Sequence, residues 1–249
     1  MTTVIRYFTL LGLVIFFCAC GRYAEQRWAR EAIAMAEAIM EQQPDSALHL
    51  LQSISAPAIL AEEQQMAYRL RLLQAKDKCN LDITADTNIV EVSDYFKQRK
   101  DWHRAAWAAF YQARVWQERN DKQKAMQAYL NAETYASHTN DYRLKGMVQH
   151  NIGELYLKQL ALQKSIVAYK KAADYFQQID STIYPHIVYT YQSLSGIYIA
   201  LEQLDSALFY NDKGLSLAQN CGDILGKYET EVLQLHQTAD DAFALKRFQ

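Results

Sequence analysis

The chain has 249 residues, 50% of them hydrophobic and 22% charged, with a formal net charge of −2 at neutral pH. A chain of that length can bury a large core and is too apolar to remain disordered. Its near-neutral balance lacks the clustered excess of lysine and arginine that a phosphate backbone demands, so nucleic acid is not an expected partner.

The chain opens on VIRYFTLLGLVIFFCA, residues 4–19, in which one basic residue, Arg6, precedes an apolar run that stops at Cys20 and Gly21. As a helix that run spans roughly 20 Å, short of a hydrocarbon core of about 30 Å, and it reads as a signal peptide. Its end, Phe17-Cys18-Ala19-Cys20, resembles a bacterial lipobox. The resemblance implies a lipoprotein signal over residues 1–19, acylation of Cys20 as the mature first residue, and a short tether over residues 20–27. Phe17 stands where leucine is usual, and an uncleaved anchor or an ordinary secretory signal are the alternatives. Several acyl chains make such an attachment stable, because one alone binds only marginally.

Beyond the signal the chain reads as helix after helix. No proline lies between Pro57 and Pro185 and no glycine between Gly21 and Gly146. Pro44, Pro57 and Pro185 fall where helices would begin. Trp28, Ile33, Ala36 and Met40 mark one amphipathic helix, and Ala47, Leu50, Leu51 and Ile54 mark a second, which Pro44-Asp45-Ser46 opens with cap chemistry. Met66, Leu70 and Leu73 mark a third, and residues 89–96 a short partner. The segment 82–88 is the clearest non-helical stretch. Residues 28–100 are thus expected to be a divergent set of helix pairs.

Over residues 101–220 one pattern recurs three times. It runs through Ala113, Trp116, Ala125 and Tyr129, then Gly153, Tyr156, Ser165 and Tyr169, then Ser195, Tyr198 and Ala207. In each unit the aromatic precedes the small residue of the following helix by nine positions: Trp116 to Ala125, Tyr156 to Ser165, Tyr198 to Ala207. This resembles the tetratricopeptide repeat (TPR) family, which implies an all-α, right-handed superhelical solenoid of antiparallel helix pairs. The units recur after about 40 residues where the family has 34. Asn211 stands where an aromatic is expected, so the third unit is expected to pack less fully. Leu225, Tyr228, Val232, Leu235, Ala239 and Ala242 form one stripe of a C-terminal capping helix over residues 223–247, within a cap segment at 221–249. The whole layout resembles the TPR lipoproteins of Bacteroidetes.

No metal, phosphate-loop or nucleophile motif occurs. The cysteines Cys18, Cys20, Cys79 and Cys221 are too scattered for a disulfide framework, and the six histidines are far apart in sequence. No catalytic residue, metal ligand or cofactor is therefore expected, and no enzyme. In the TPR family the first helix of each pair lines a concave groove. By register this face carries Trp107, Phe110, Arg114 and Gln117, then Met147, His150, Glu154 and Lys158, then Tyr189, Gln192 and Ile199. Mixed aromatic and charged character suits a peptide or protein segment. The expected function is a non-enzymatic protein-interaction scaffold, lipid-anchored at the cell envelope and facing an extracytoplasmic space. The alternatives are a sensory module acting on a separate transcriptional regulator and an outer-membrane assembly factor.

Overall fold

The computed structural model describes residues 23–179 and 185–218. The signal segment, Cys20 and the capping helix expected at 223–247 lie outside the described residues. Every regular element among the described residues is helical. In order these are α1 (23–39), α2 (Pro44–Gln52), a 3₁₀ turn (Pro57–Ile59), α3 (Glu62–Lys78), α4 (Ile89–Gln98), α5 (Trp102–Glu118), α6 (Lys122–Ala136), α7 (Tyr142–Leu157), α8 (Leu162–Phe176), α9 (Pro185–Ala200) and α10 (Leu204–Ala218). Helix is already present at residue 23, inside the stretch expected to be tether. The chain divides into two compact units at Asn120. That boundary falls in the turn of the first repeat, so α1 to α5 and α6 to α10 are described separately.

In the first unit, α1 and α2 meet through small residues. Ala29, Ala32 and Ala36 on α1 and Ala47 on α2 are all buried, and Ile33, Met40, Leu48, Leu51, Ile54 and Leu60 fill the space beside them. The α2 cap differs from expectation. Gln43 occupies the cap and makes no side-chain cap bond, while Pro44 supplies a helical φ at the first position and Asp45 places a charge in the first turn. The buried Arg71 of α3 is compensated by Glu37 of α1 and by Gln74, whose side-chain oxygen lies 2.8 Å away. Lys76 pairs with Asp86 at 3.0 Å, tying the 82–88 linker to α3. Arg104 of α5 reaches Glu63 of α3 at 2.6 Å and covers the Phe96 ring of α4 at 4.4 Å.

In the second unit the repeat chemistry is explicit. The Ser165 hydroxyl of α8 donates to the Gly153 carbonyl of α7 at 2.8 Å, and the Ser195 hydroxyl of α9 donates to the Ala207 carbonyl of α10 at 3.0 Å. The same two register positions are joined in both pairs, with donor and acceptor helices exchanged. Tyr129 and Tyr169 are fully buried beside these points. Asn211, in the same register, is buried too, and neither its side-chain nitrogen nor its oxygen has a hydrogen-bond partner. An unsatisfied buried amide costs roughly 1–3 kcal/mol, so the departure expected to loosen the packing shows itself as a missing hydrogen bond at a position that is closely covered.

Glycine-poor turns close these pairs by one device. Lys100, Leu160 and Glu202 adopt φ of 57°, 58° and 56°. The next amide then reaches back across the helix end: Asp101 to the Phe96 carbonyl at 3.0 Å, Ala161 to Tyr156 at 2.9 Å, Gln203 to Tyr198 at 2.8 Å. This satisfies carbonyls that the helix terminus leaves open, and it holds non-glycine residues in a left-handed conformation that disfavours them by about 1 kcal/mol.

Gly146 faces Phe176 of α8, and a Cβ at that position would overlap the phenyl ring. Because the ring is itself buried, Gly146→Ala is expected to destabilise the chain by roughly 1–3 kcal/mol. Urea denaturation followed by circular dichroism measures this, and an unchanged midpoint would show that the ring shifts without penalty.

Candidate functional site

The first-helix face splits across the two units. In the first unit, Trp107 and Phe110 are 5% and 2% exposed. Their rings cluster with Tyr111, Trp107 stacking on Tyr111 at 5.9 Å and meeting Phe110 edge-on at 5.8 Å. These two residues serve the packing of α5, where register alone had placed them in a groove. Arg114 and Gln117 are half-buried. The Arg114 guanidinium is held by Asp77 of α3 at 2.9 Å and by Glu118 at 3.3 Å.

In the second unit, Met147 is also buried, at 8% exposure, whereas Tyr189 of α9 is 41% exposed. His150 and Glu154 are half-buried, Gln192 likewise, and Lys158 is exposed. Lys158 pairs with Glu154 one turn away at 3.1 Å. The His150 Nδ1 lies 2.9 Å from the Thr190 hydroxyl, and the Thr190 hydroxyl donates to the His186 carbonyl at 2.7 Å. The His150 ring meets Tyr169 at 5.1 Å and His186 at 6.4 Å, and the His186 ring meets Tyr189 at 6.3 Å. The structure thus brings His150, Thr190, His186 and Tyr189 together on α7 and α9. Burial pushes the His150 imidazole down to about 4 against an opposing pull from Glu154. Burial likewise pushes the Tyr169 hydroxyl up to about 12, with the Ser193 hydrogen bond working the other way. Among the described residues no three of His, Cys, Asp and Glu gather as a metal site would require.

A second feature went unremarked in the sequence. On the other side of the same repeats, α6 and α8 flank α7 and leave an open cleft of about 450 Å³. Ile152 and Ala168 line its floor, Tyr156 one end, and Leu130 and Val167 its lips. Leu130 is 40% and Val167 58% exposed. The Gln149 amide donates to Glu133 at 2.8 Å, and beyond this pair a smaller hollow of about 280 Å³ continues past Lys145 and Tyr175. Lys164 sits 5.6 Å from the Tyr156 ring, and Lys171 lies 3.9 Å from Glu133. The signal was present in the repeat register. Ala168 and Gln149 occupy positions that hold Tyr210 and Tyr191 in the following repeat.

A profile of the soluble NSF attachment protein (SNAP) family matches residues 83–208, just over half of the 249 residues. The chain belongs to the SNAP family. Its fold is that of TPR-like helical repeats. A Rap protein complexed with Competence and Sporulation Factor aligns with a TM-score of 0.67 at 14% identity, covering 87% of this chain and 65% of that protein. TPR-like repeats of a kinesin light chain from Podospora anserina align at 0.55 with 13% identity over 80% of this chain and 98% of that one. A thermophilic TPR protein from Thermus thermophilus aligns at 0.52 with 16% identity, over 84% and 99%. The chain spans 64% of the length of apo RapI, another structure of this fold. No curated protein matches the sequence significantly. These likenesses establish the all-α repeat solenoid class. Among the described residues no helix is long and apolar enough to cross a membrane.

His150 gives the first-helix face a pH dependence. Its folded-state value near 4 lies below the ordinary 6.5, so below pH 6.5 the unfolded chain binds a proton that the folded chain refuses. Stability is therefore expected to hold above that pH and to fall as the pH drops towards 4, by at most about 3 kcal/mol. His150→Gln should flatten this part of the profile. Urea midpoints at pH 7 and pH 4.5 check it, and an unaltered slope in the variant would assign the pH dependence to other groups.

Proposed function

We propose that the chain is a non-enzymatic protein-interaction scaffold that binds a polypeptide segment along its first-helix faces and is held at the cell envelope by a lipid on Cys20. The observation that carries this proposal is the composite surface on α7 and α9. Tyr189 offers an exposed aromatic anchor, the Glu154–Lys158 pair offers charge, and the half-buried His150 is held in place from beneath by the fully buried Thr190. Aromatic anchors flanked by polar groups are the usual energetic centres of peptide recognition. Gln192 extends this surface on α9, and Met147 supports it from beneath; in the first unit Arg114 and Gln117 hold the equivalent register on α5, over the buried Trp107 and Phe110. The SNAP family is by name one of attachment proteins, and a Rap protein of this fold has been crystallised with Competence and Sporulation Factor. The latter also supports a sensory variant, in which an occupied face passes information to a separate regulator. The non-enzymatic part rests on the missing motif constellations, and the tether on Cys20 and the apolar run before it.

A photo-crosslinking amino acid at Gln192 in the full chain, expressed in intact cells, is expected to yield a discrete protein adduct that Tyr189→Ala with Lys158→Glu reduces about tenfold or more. Helicity should be unaffected. An adduct indifferent to those changes would remove the face from the binding surface. Cys20→Ser is expected to move the protein from the membrane to the soluble fraction, and retention in the membrane fraction would refute the lipid tether.

A further inference from the structure

The α6–α8 cleft has an internal counterpart that shows what fits it. When Tyr156 of α7 is placed on Tyr198 of α9, the cleft maps onto the space between α8 and α10, which the chain fills itself. There the Tyr210 ring lies parallel to Tyr198 at 5.6 Å, with an interplanar angle of 1°. Tyr191 packs beside it at 5.8 Å. Cations close the edges: Lys170 stands 5.9 Å from the Tyr210 ring, and Lys213 stands 4.6 Å from Phe209 and 5.7 Å from Tyr191. The Gln177 amide donates to the Tyr191 hydroxyl at 2.5 Å.

In the α6–α8 cleft the platform and one of the two cations persist, Leu130 standing where Lys170 does in the next repeat, while the filling is gone. Tyr156 keeps the place of Tyr198, and Lys171 keeps the place of Lys213. Ala168 replaces Tyr210, Gln149 replaces Tyr191, and Val167 replaces Phe209. What remains is an opening of about 450 Å³ with apolar lips and a floor on α7, within the range of roughly 300–1,000 Å³ that holds ligands. Its rim is basic. Lys164 and Lys171 flank it and Lys145 stands over the adjoining hollow, against Glu133, which already accepts from Gln149.

We infer that the α6–α8 cleft is a second protein-docking site, built to receive one aromatic side chain of a partner segment whose neighbouring residues are acidic. The incoming ring stacks on Tyr156 as Tyr210 stacks on Tyr198, and the acidic flanks meet Lys164 and Lys171. Aromatic stacking and cation contact each strengthen in a desolvated setting. Charge complementarity adds on-rate and discrimination against basic segments. The site is walled by the second helices α6 and α8 over Gln149, Ile152 and Tyr156 of α7, and shares no residue with the first-helix face.

The test uses the full chain in detergent and a synthetic helical peptide that presents one tyrosine among glutamates, titrated calorimetrically at low salt. Binding is expected to weaken about tenfold or more when that tyrosine is replaced by alanine, and similarly when the glutamates are replaced by lysines. Ala168→Tyr should fill the cleft as Tyr210 fills its counterpart and abolish binding. Val167→Glu, at a lip exposed enough to leave folding intact, should weaken binding by like-charge repulsion. Tyr189→Ala, on the other face, should change nothing. Equal binding of the alanine peptide, indifference to both Ala168→Tyr and Val167→Glu, or absence of binding at millimolar peptide would overturn the proposal. So would a peptide-free dimer that Val167→Glu dissociates, because the occupant would then be a second copy of the chain.

Discussion

The structure depends on how closely two helices of a pair may approach. Each pair has one crossing point, and the residues there have to be small on both sides. Where serine supplies one of them, its hydroxyl is spent on the opposite backbone, as Ser165 does on Gly153 and Ser195 on Ala207. A buried hydroxyl costs free energy unless it is bonded, so each serine is tolerated because the facing carbonyl is within reach. Gly153 shows how tight the crossing is, since a Cβ there would stand 3.0 Å from the Tyr169 ring. The large aromatics beside the crossings are buried because the small residues bring their helices close enough to be spanned.

That constraint propagates into the surfaces. Fixed crossings and turns closed by Lys100, Leu160 and Glu202 hold successive helices in constant register, so one position recurs on one face from repeat to repeat. Identity at that position then decides what the face does. The register position of Ala168 and Tyr210 leaves the surface open in one repeat and closed in the next. On the first-helix side, the same regularity sets His150 edge-on to Tyr169 and against Thr190 and His186, and the resulting burial keeps the imidazole neutral at ordinary pH.

The repeated spacing of Trp116, Tyr156 and Tyr198 to the small residues nine positions on made the helix pairs legible in the sequence, because packing at a crossing is a local, periodic demand. The 82–88 linker and the low propensity for breaks elsewhere were legible for similar reasons. Burial was less so. Periodicity put Trp107, Phe110 and Met147 on the first-helix face, but whether a face residue is covered depends on neighbours distant in sequence, and all three are buried. The Pro44 helix start was visible, whereas the absence of a side-chain cap at Gln43 was not, since a cap requires a dihedral geometry that composition does not specify. Asn211 was visible as an anomaly, and only coordinates reveal that its amide is both buried and unpartnered.

The two faces of the second unit differ in what they cost the fold. On the first-helix side, the half-buried His150 lowers stability only in acid, so its price at neutral pH is small. On the other side, an aromatic side chain covers roughly 150–250 Å² when buried, and at about 25 cal/mol per Å² its omission forgoes several kcal/mol. The chain takes up that stabilisation between α8 and α10, where Tyr191 and Tyr210 close the surface, and forgoes it between α6 and α8, where Gln149 and Ala168 stand. Packing alone would favour closing both. Among the described residues a cleft is thus left open beside a closed one, with Tyr156 and Lys171 retained in register, and packing within these helices does not account for the difference.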